Sequence, residues 1–174
     1  MRINPIEILE RYCDSNTNAF KILVEHGQQV AGKARAAAQR VAALKPDLDF
    51  IDAAAMLHDI GIFETDTLQF GCTGKHAYIC HGILGSEILK KEGHPQLALV
   101  CERHIGVGIS KADVRQQNLP LPDRDMIPVS IEEQIVCYAD NFFFQKRQQP
   151  TYRKTDQRNP CQYKTSWKRK SPAL

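Results

Sequence analysis

The chain has 174 residues and a mass of 19.7 kDa, with 43% apolar and 25% charged residues. That suits one domain with a core of its own and excludes a disordered or collagen-like chain. The formal charge of +3 joins two unlike parts: residues 1–144 hold 14 basic and 19 acidic side chains, net −5, whereas residues 145–174 hold nine basic and one acidic, net +8. The field of such a body repels phosphate, so anion binding there requires local cations or metal charge.

Along the chain the pattern is helical almost throughout. Residues 5–13 predict a short amphipathic helix with Ile6, Ile8, Leu9 and Tyr12 on its apolar side. Ser15 and Asn16 supply N-cap chemistry before a long helix over residues 19–44, where Phe20, Leu23, Val24, Val30, Ala34, Ala37, Val41 and Leu44 recur at steps of three and four. Lys45-Pro46 closes it. Asp49 is placed to cap a second helix through Ala53, Ala54, Ala55, Met56 and Leu57, which Gly61 stops. Residues 65–75 read as loop. Residues 83–91 read as a helix ended by Gly93, and residues 95–103 as another that starts at Pro95 and breaks at Gly106 and Gly108. Ser110 can cap a short helix, and a loop with Pro120, Pro122 and Pro128 follows. Ser130 then opens a capping box with Glu133, leading into a helix over residues 131–144. No useful strand alternation and no internal repeat is present, so the expected fold class is all-α.

Beyond Phe144 the periodicity ends. Residues 145–174 carry Pro150, Pro160 and Pro172 and no apolar stripe, despite Tyr152, Tyr163 and Trp167. The composition admits a flexible terminus, a basic arm whose aromatics could stack on nucleic acid, or sequence foreign to the body. No apolar run approaches the roughly 18 residues a membrane span needs, and residues 1–10 lack the features of a signal peptide. Cys13, Cys72, Cys80, Cys101, Cys137 and Cys161 lie far apart with no CxxC pair, which favours free thiols in a cytoplasmic protein without a membrane partner.

The histidines carry the chemistry. Of six, His26, His58, His81 and His104 fall within or at the ends of apolar helical segments, as do Asp59 and Asp140. One buried histidine is an ordinary core residue. Burying four with two carboxylates costs several kcal/mol each unless something pairs them, and a metal ion does so directly. Neighbouring helical side chains splay by about 100°, so His58 and Asp59 converge best at a helix end, which Ile60-Gly61 supplies. A carboxylate there could bridge two ions. Imidazole and carboxylate donors suit a divalent transition metal (Fe, Mn, Zn or Ni), with one or two ions left open. Cys72, His76, Cys80 and His81 offer an alternative, irregularly spaced structural zinc site. Lys75, His76, Arg103 and Lys111 flank the ligands and are candidates for binding substrate phosphate, against the plain reading of solvated surface residues. His94, before Pro95, has no chemical role in this reading.

Ala55-Met56-Leu57-His58-Asp59-Ile60-Gly61 resembles the central motif of the HD-domain metal-dependent phosphohydrolases in its His-Asp-Ile-Gly form. Val24-Glu25-His26-Gly27 resembles the family's upstream histidine, and Cys137-Tyr138-Ala139-Asp140-Asn141 its downstream aspartate. Cys80-His81-Gly82 and Arg103-His104-Ile105-Gly106 resemble the extra histidines of binuclear members, such as the bacterial diadenosine tetraphosphatase branch. The resemblance spans residues 19–144 and implies a helical bundle, residues 1–144, with a metal site in its core. It implies that His26, His58, Asp59 and Asp140 hold one ion and His81 and His104 a second. Asp59 would bridge the two and take part in catalysis. The implied reaction is hydrolysis of a phosphate ester or phosphoanhydride by a metal-activated hydroxide, on a small phosphorylated substrate such as a nucleotide or dinucleoside polyphosphate. Two other functions compete: a mixed-valent di-iron oxygenase, which some relatives with the same six ligands resemble, and a non-catalytic, metal-stabilised domain whose basic tail binds nucleic acid. Oligomeric state stays open.

Overall fold

The computed structural model describes residues 3–147. Helix α1 (Pro5–Glu10) starts on a proline, whose missing N–H would have had no helical partner, and it buries Ile8 and Leu9. Helix α2 (Asn18–Arg40) is capped by Thr17, whose hydroxyl accepts the Phe20 N–H at 3.2 Å. The cap is therefore Thr17 rather than Ser15 or Asn16, and Asp14 instead binds the Asn16 N–H in the preceding turn. Phe20, Leu23, Val30, Ala34 and Ala38 form the buried stripe. The helix stops at Arg40, short of the predicted Leu44. Val41 leaves helical geometry, Ala42–Leu44 tightens into a 3-10 turn, and Lys45 reverses the chain with φ 51°.

Helix α3 (Leu48–Leu57) is capped by Asp47, which accepts the Phe50 N–H at 3.0 Å; Asp49 lies in the first turn, where its charge still favours the helix dipole. After His58 and Asp59 the chain tightens into a 3-10 segment, Ile60–Glu64. The stretch predicted as loop holds a two-residue antiparallel ladder, β1 (Asp66–Thr67) with β2 (Cys72–Thr73). Helices α4 (His81–Lys91) and α5 (Pro95–Arg103) follow, and α6 (Lys111–Gln116) opens on a complete capping box between Ser110 and Asp113. In α7 (Ile131–Arg147) the Ser130 hydroxyl accepts the Glu133 N–H, but the Glu133 carboxylate binds the Val129 N–H instead of completing the box. Helix α7 continues past Phe144, and the basic segment read from Gln145 onward lies outside the described residues after Arg147, as does Cys161. The fold is all-α, with the short ladder as its only strands among the described residues.

Helix α2 packs on α3 and α7, and α4 packs on α5 and on the 3-10 segment that follows Asp59. Leu9, Ile51, Leu57, Ile60, Leu89, Val100 and Val136 fill the core between them. Each such side chain stabilises by about 1.5–3 kcal/mol relative to exposure. A smaller cluster, Ile109, Val114 and Met126, seals the loops beside α6. Gly61 sets the distance between the two halves: a Cβ there would lie 2.1 Å from the His81 carbonyl oxygen and 2.3 Å from the Gly85 nitrogen. Only glycine lets the turn bearing Asp59 lie directly against the start of α4. Among the described residues no helix is long and apolar enough to cross a membrane.

Candidate metal centre

Five separate segments bring six side chains to one point. His26 comes from α2, His58 and Asp59 from the end of α3, His81 from the first position of α4, His104 from just past α5, and Asp140 from α7. The His58 side chain is 1% exposed and that of Asp140, the most open of the six, 18%.

Three of the imidazoles are oriented in the same way. The Nδ1 of His58 lies 2.7 Å from the Ala55 carbonyl, that of His81 2.6 Å from Tyr78 O, and that of His104 2.8 Å from Cys101 O. A carbonyl can only accept, so each ring donates through Nδ1 and turns Nε2 inward. The two oxygens of Asp59 face opposite groups. Oδ1 lies 3.3 Å from both His81 Nε2 and His104 Nε2, whereas Oδ2 lies 3.5 Å from His58 Nε2 and 3.7 Å from His26 Nε2. Asp140 Oδ1 lies 3.0 Å from His26 Nε2 and 3.6 Å from His58 Nε2.

The electrostatics are those of mutually dependent charges. Burial works against a charge on His58, but Asp59 and Asp140 outweigh it and lift its pKa to about 9. Burial also works against the charge on Asp59, yet His58, His104 and His81 hold its carboxyl well below the usual range. Asp140 is likewise held low against burial by His26 and His58. Burial lowers the pKa of His81.

A divalent ion fits this set. His58 Nε2, which faces the cluster, is buried without a hydrogen-bond partner, a cost that a native core rarely leaves uncompensated. His58 Nε2 stands beyond hydrogen-bond range of both carboxylates, at a separation that a shared cation explains. His26, His58 and Asp140, and His58, Asp59 and His104, form ligand groups whose donor atoms lie within 4.8 Å of one another. The alternative zinc site does not assemble: His76 is exposed, Cys80 Sγ contacts the Pro120 carbonyl, and His81 belongs to the main cluster.

The four candidate substrate residues are placed unequally. Lys75 and His76 are exposed, with both backbone N–H groups on the Glu64 carbonyl. Lys111 is exposed at the start of α6, 3.5 Å from Asp123. Arg103 is engaged by the protein itself: its Nη1 lies 3.2 and 3.0 Å from the two oxygens of the buried Glu133. Sequence reasoning missed the partner, Glu133, and also Asn141, which binds the Gly106 carbonyl. For Asn141 the available signal was its position next to Asp140; for Glu133 the sequence offers only its place in the capping box.

The model of the HD domain family matches residues 23–143. With the His-Asp centre in place, the chain belongs to the HD-domain family, whose members are generally metal-dependent hydrolases. An uncharacterised protein of Methanocaldococcus jannaschii is 34% identical over 142 residues, covering 80% of this chain and 73% of the relative. Two proteins named tRNA (cytidine(56)-2'-O)-methyltransferase also match. That of Picrophilus torridus is 36% identical over 71% of this chain, and that of Thermoplasma volcanium 32% over 79%. The matched parts span 32% and 35% of those longer methyltransferases. No solved structure matches.

Proposed function

We propose that this chain hydrolyses a phosphate ester or phosphoanhydride of a small molecule, with a nucleotide or dinucleoside polyphosphate as the substrate class. The observation that carries the reading is the division of Asp59, with one oxygen toward His81 and His104 and the other toward His26 and His58. His26, His58, Asp59 and Asp140 would hold one ion, and Asp59, His81 and His104 a second, drawn from Fe, Mn, Zn or Ni. When bound, such ions supply Lewis acidity toward phosphoryl oxygens and lower the pKa of a coordinated water.

The protein's part is orientation and exclusion. Backbone carbonyls fix three imidazoles, and with ions bound the charge of the centre would offset the acidic body that otherwise repels phosphate. Lys75, His76 and Lys111 are the proposed contacts for the outer phosphate. The relatives named as tRNA methyltransferases join a matching segment to RNA chemistry, which supports a nucleotide-type substrate. The five described cysteines, all free, suit the cytoplasmic setting of this reading.

Purified protein reconstituted in turn with Mn, Fe(II), Zn and Ni, and assayed on a panel of nucleotides and dinucleoside polyphosphates, tests the proposal. Turnover is expected with at least one metal, and His58→Ala and Asp59→Ala should lose bound metal and turnover together. Full metal content without turnover on any phosphate compound, or oxygen uptake by the iron form in its place, overturns it.

A further inference from the structure

His104 is the C-cap residue of α5, where the regular helix ends. Beyond it, Gly106 and Gly108 take positive φ values of 61° and 91°, and the Gly108 N–H closes a turn on the Ile105 carbonyl at 3.0 Å. Besides that turn and the Ile109–Met126 bridge, α7 ties the segment down on both sides of the histidine. One residue before it, Arg103 binds the carboxylate of Glu133. Two residues after it, the Gly106 carbonyl accepts from the side-chain amide of Asn141 and from the Cys137 thiol, the latter at 3.2 Å. Asn141 is itself held in place, donating to the Cys137 carbonyl at 2.9 Å. It is also the residue immediately after Asp140.

We infer that Asn141 is a positioning residue that ties His104 to the helix bearing Asp140, so that one side chain fixes the separation of the two ligand groups. The inference rests on the two-ion reading for its effect on metal, though not for its effect on the imidazole. Without the amide, the turn at Gly106 is held to α7 by a weak thiol donor alone. The His104 ring then loses its fixed bond to the Cys101 carbonyl and, with it, the single tautomer that points Nε2 at Asp59. His58, held from α3, is untouched by the change.

The test uses the full chain with Asn141→Leu, which keeps the approximate shape and removes the donor. Asn141→Asp, isosteric and unable to donate, reads the same signals if the leucine variant folds poorly. In metal-free protein, proton–nitrogen correlation of the histidine rings is expected to lose the protected Nδ1–H of His104 while retaining that of His58. In a cobalt(II) titration followed by visible absorbance, the second ion is expected to bind at least about tenfold more weakly than in the parent, within the range for an outer partner of a ligand. An unchanged His104 signal with both ions at parental affinity overturns the inference and leaves the two-ion reading standing. A lost His104 signal in a protein whose parent takes only one cobalt ion upholds the inference and overturns the two-ion reading.

Discussion

His81 and His104 meet nitrogen to nitrogen, their Nε2 atoms 3.2 Å apart, with each ring's Nδ1 committed to a backbone carbonyl. Two neutral imidazoles in that arrangement present lone pairs to each other in a buried site. Asp59 Oδ1, 3.3 Å from both, adds a negative charge on the same side. The arrangement is repulsive by itself and becomes favourable around a cation.

Metal binding should therefore carry much of the fold's stability. An ion present at about 1,000 times its dissociation constant stabilises by about 4 kcal/mol, which for a chain of this size raises Tm by about 8–16 °C. Calorimetry of metal-loaded and chelator-treated protein measures the difference. Equal melting temperatures would mean that these six side chains hold no ion.

Two glycines should respond in opposite directions to the same substitution. Gly61→Ala places a methyl group against the His81 carbonyl and the Gly85 nitrogen, both of them backbone, and should cost about 3 kcal/mol or more. Gly32 lies on the exposed side of α2 with nothing near its would-be Cβ, so Gly32→Ala should stabilise by about 0.5–1 kcal/mol. Urea unfolding of both variants decides the matter. A neutral Gly61→Ala would refute the tight contact between the Asp59 turn and α4.

Arg103 and Lys75 entered as equivalent candidates for phosphate and should separate experimentally. Arg103→Ala leaves the buried Glu133 carboxylate with the Val129 N–H but no cation, and should cost about 1–3 kcal/mol of stability. Lys75→Ala at an exposed site should stay within about 0.5 kcal/mol of the parent and instead raise KM. Denaturation midpoints and KM values measured side by side would show a substrate role for Arg103 if its variant kept full stability and lost affinity.

The cysteines give the pH dependence. Burial, with the charge of Asp140, pushes the Cys137 thiol up to about 12, and burial with Asp59 raises Cys101 further. At pH 8 the Cys137 thiolate is thus rarer than in the unfolded chain by about a thousandfold, and iodoacetamide should modify it correspondingly slowly until the protein unfolds. Because the unfolded thiol ionises first, this contribution is fully present below about pH 8.5 and is lost as pH rises toward 12. Mass spectrometry of alkylated native protein checks the first expectation and denaturation across that pH range the second. Rapid native alkylation of Cys137 would contradict its burial.

The helices were readable because an apolar side chain every three or four residues leaves few alternatives, as in Phe20, Leu23, Val30 and Ala34. Their ends were less so. Thr17 and Asp47 cap in place of their neighbours, and a choice among adjacent Ser, Asn, Thr and Asp depends on which backbone N–H each can reach. The ladder of β1 and β2 was invisible because two-residue strands leave no alternation to see. At the centre, the residue types and the His58-Asp59 helix end were legible. The tether of Arg103 to Glu133 was not, since 30 positions separate them and nothing local announces the pair.

The three imidazole-to-carbonyl bonds join residues three apart in sequence, each reaching back one turn within its own segment. Ligand direction is thereby set first by local backbone geometry, with Asn141 holding the segment that carries His104. Exposed Lys75, His76 and Lys111 can be exchanged without turning a single ligand. A frame of this kind keeps its ligand directions while exposed residues elsewhere on the chain change.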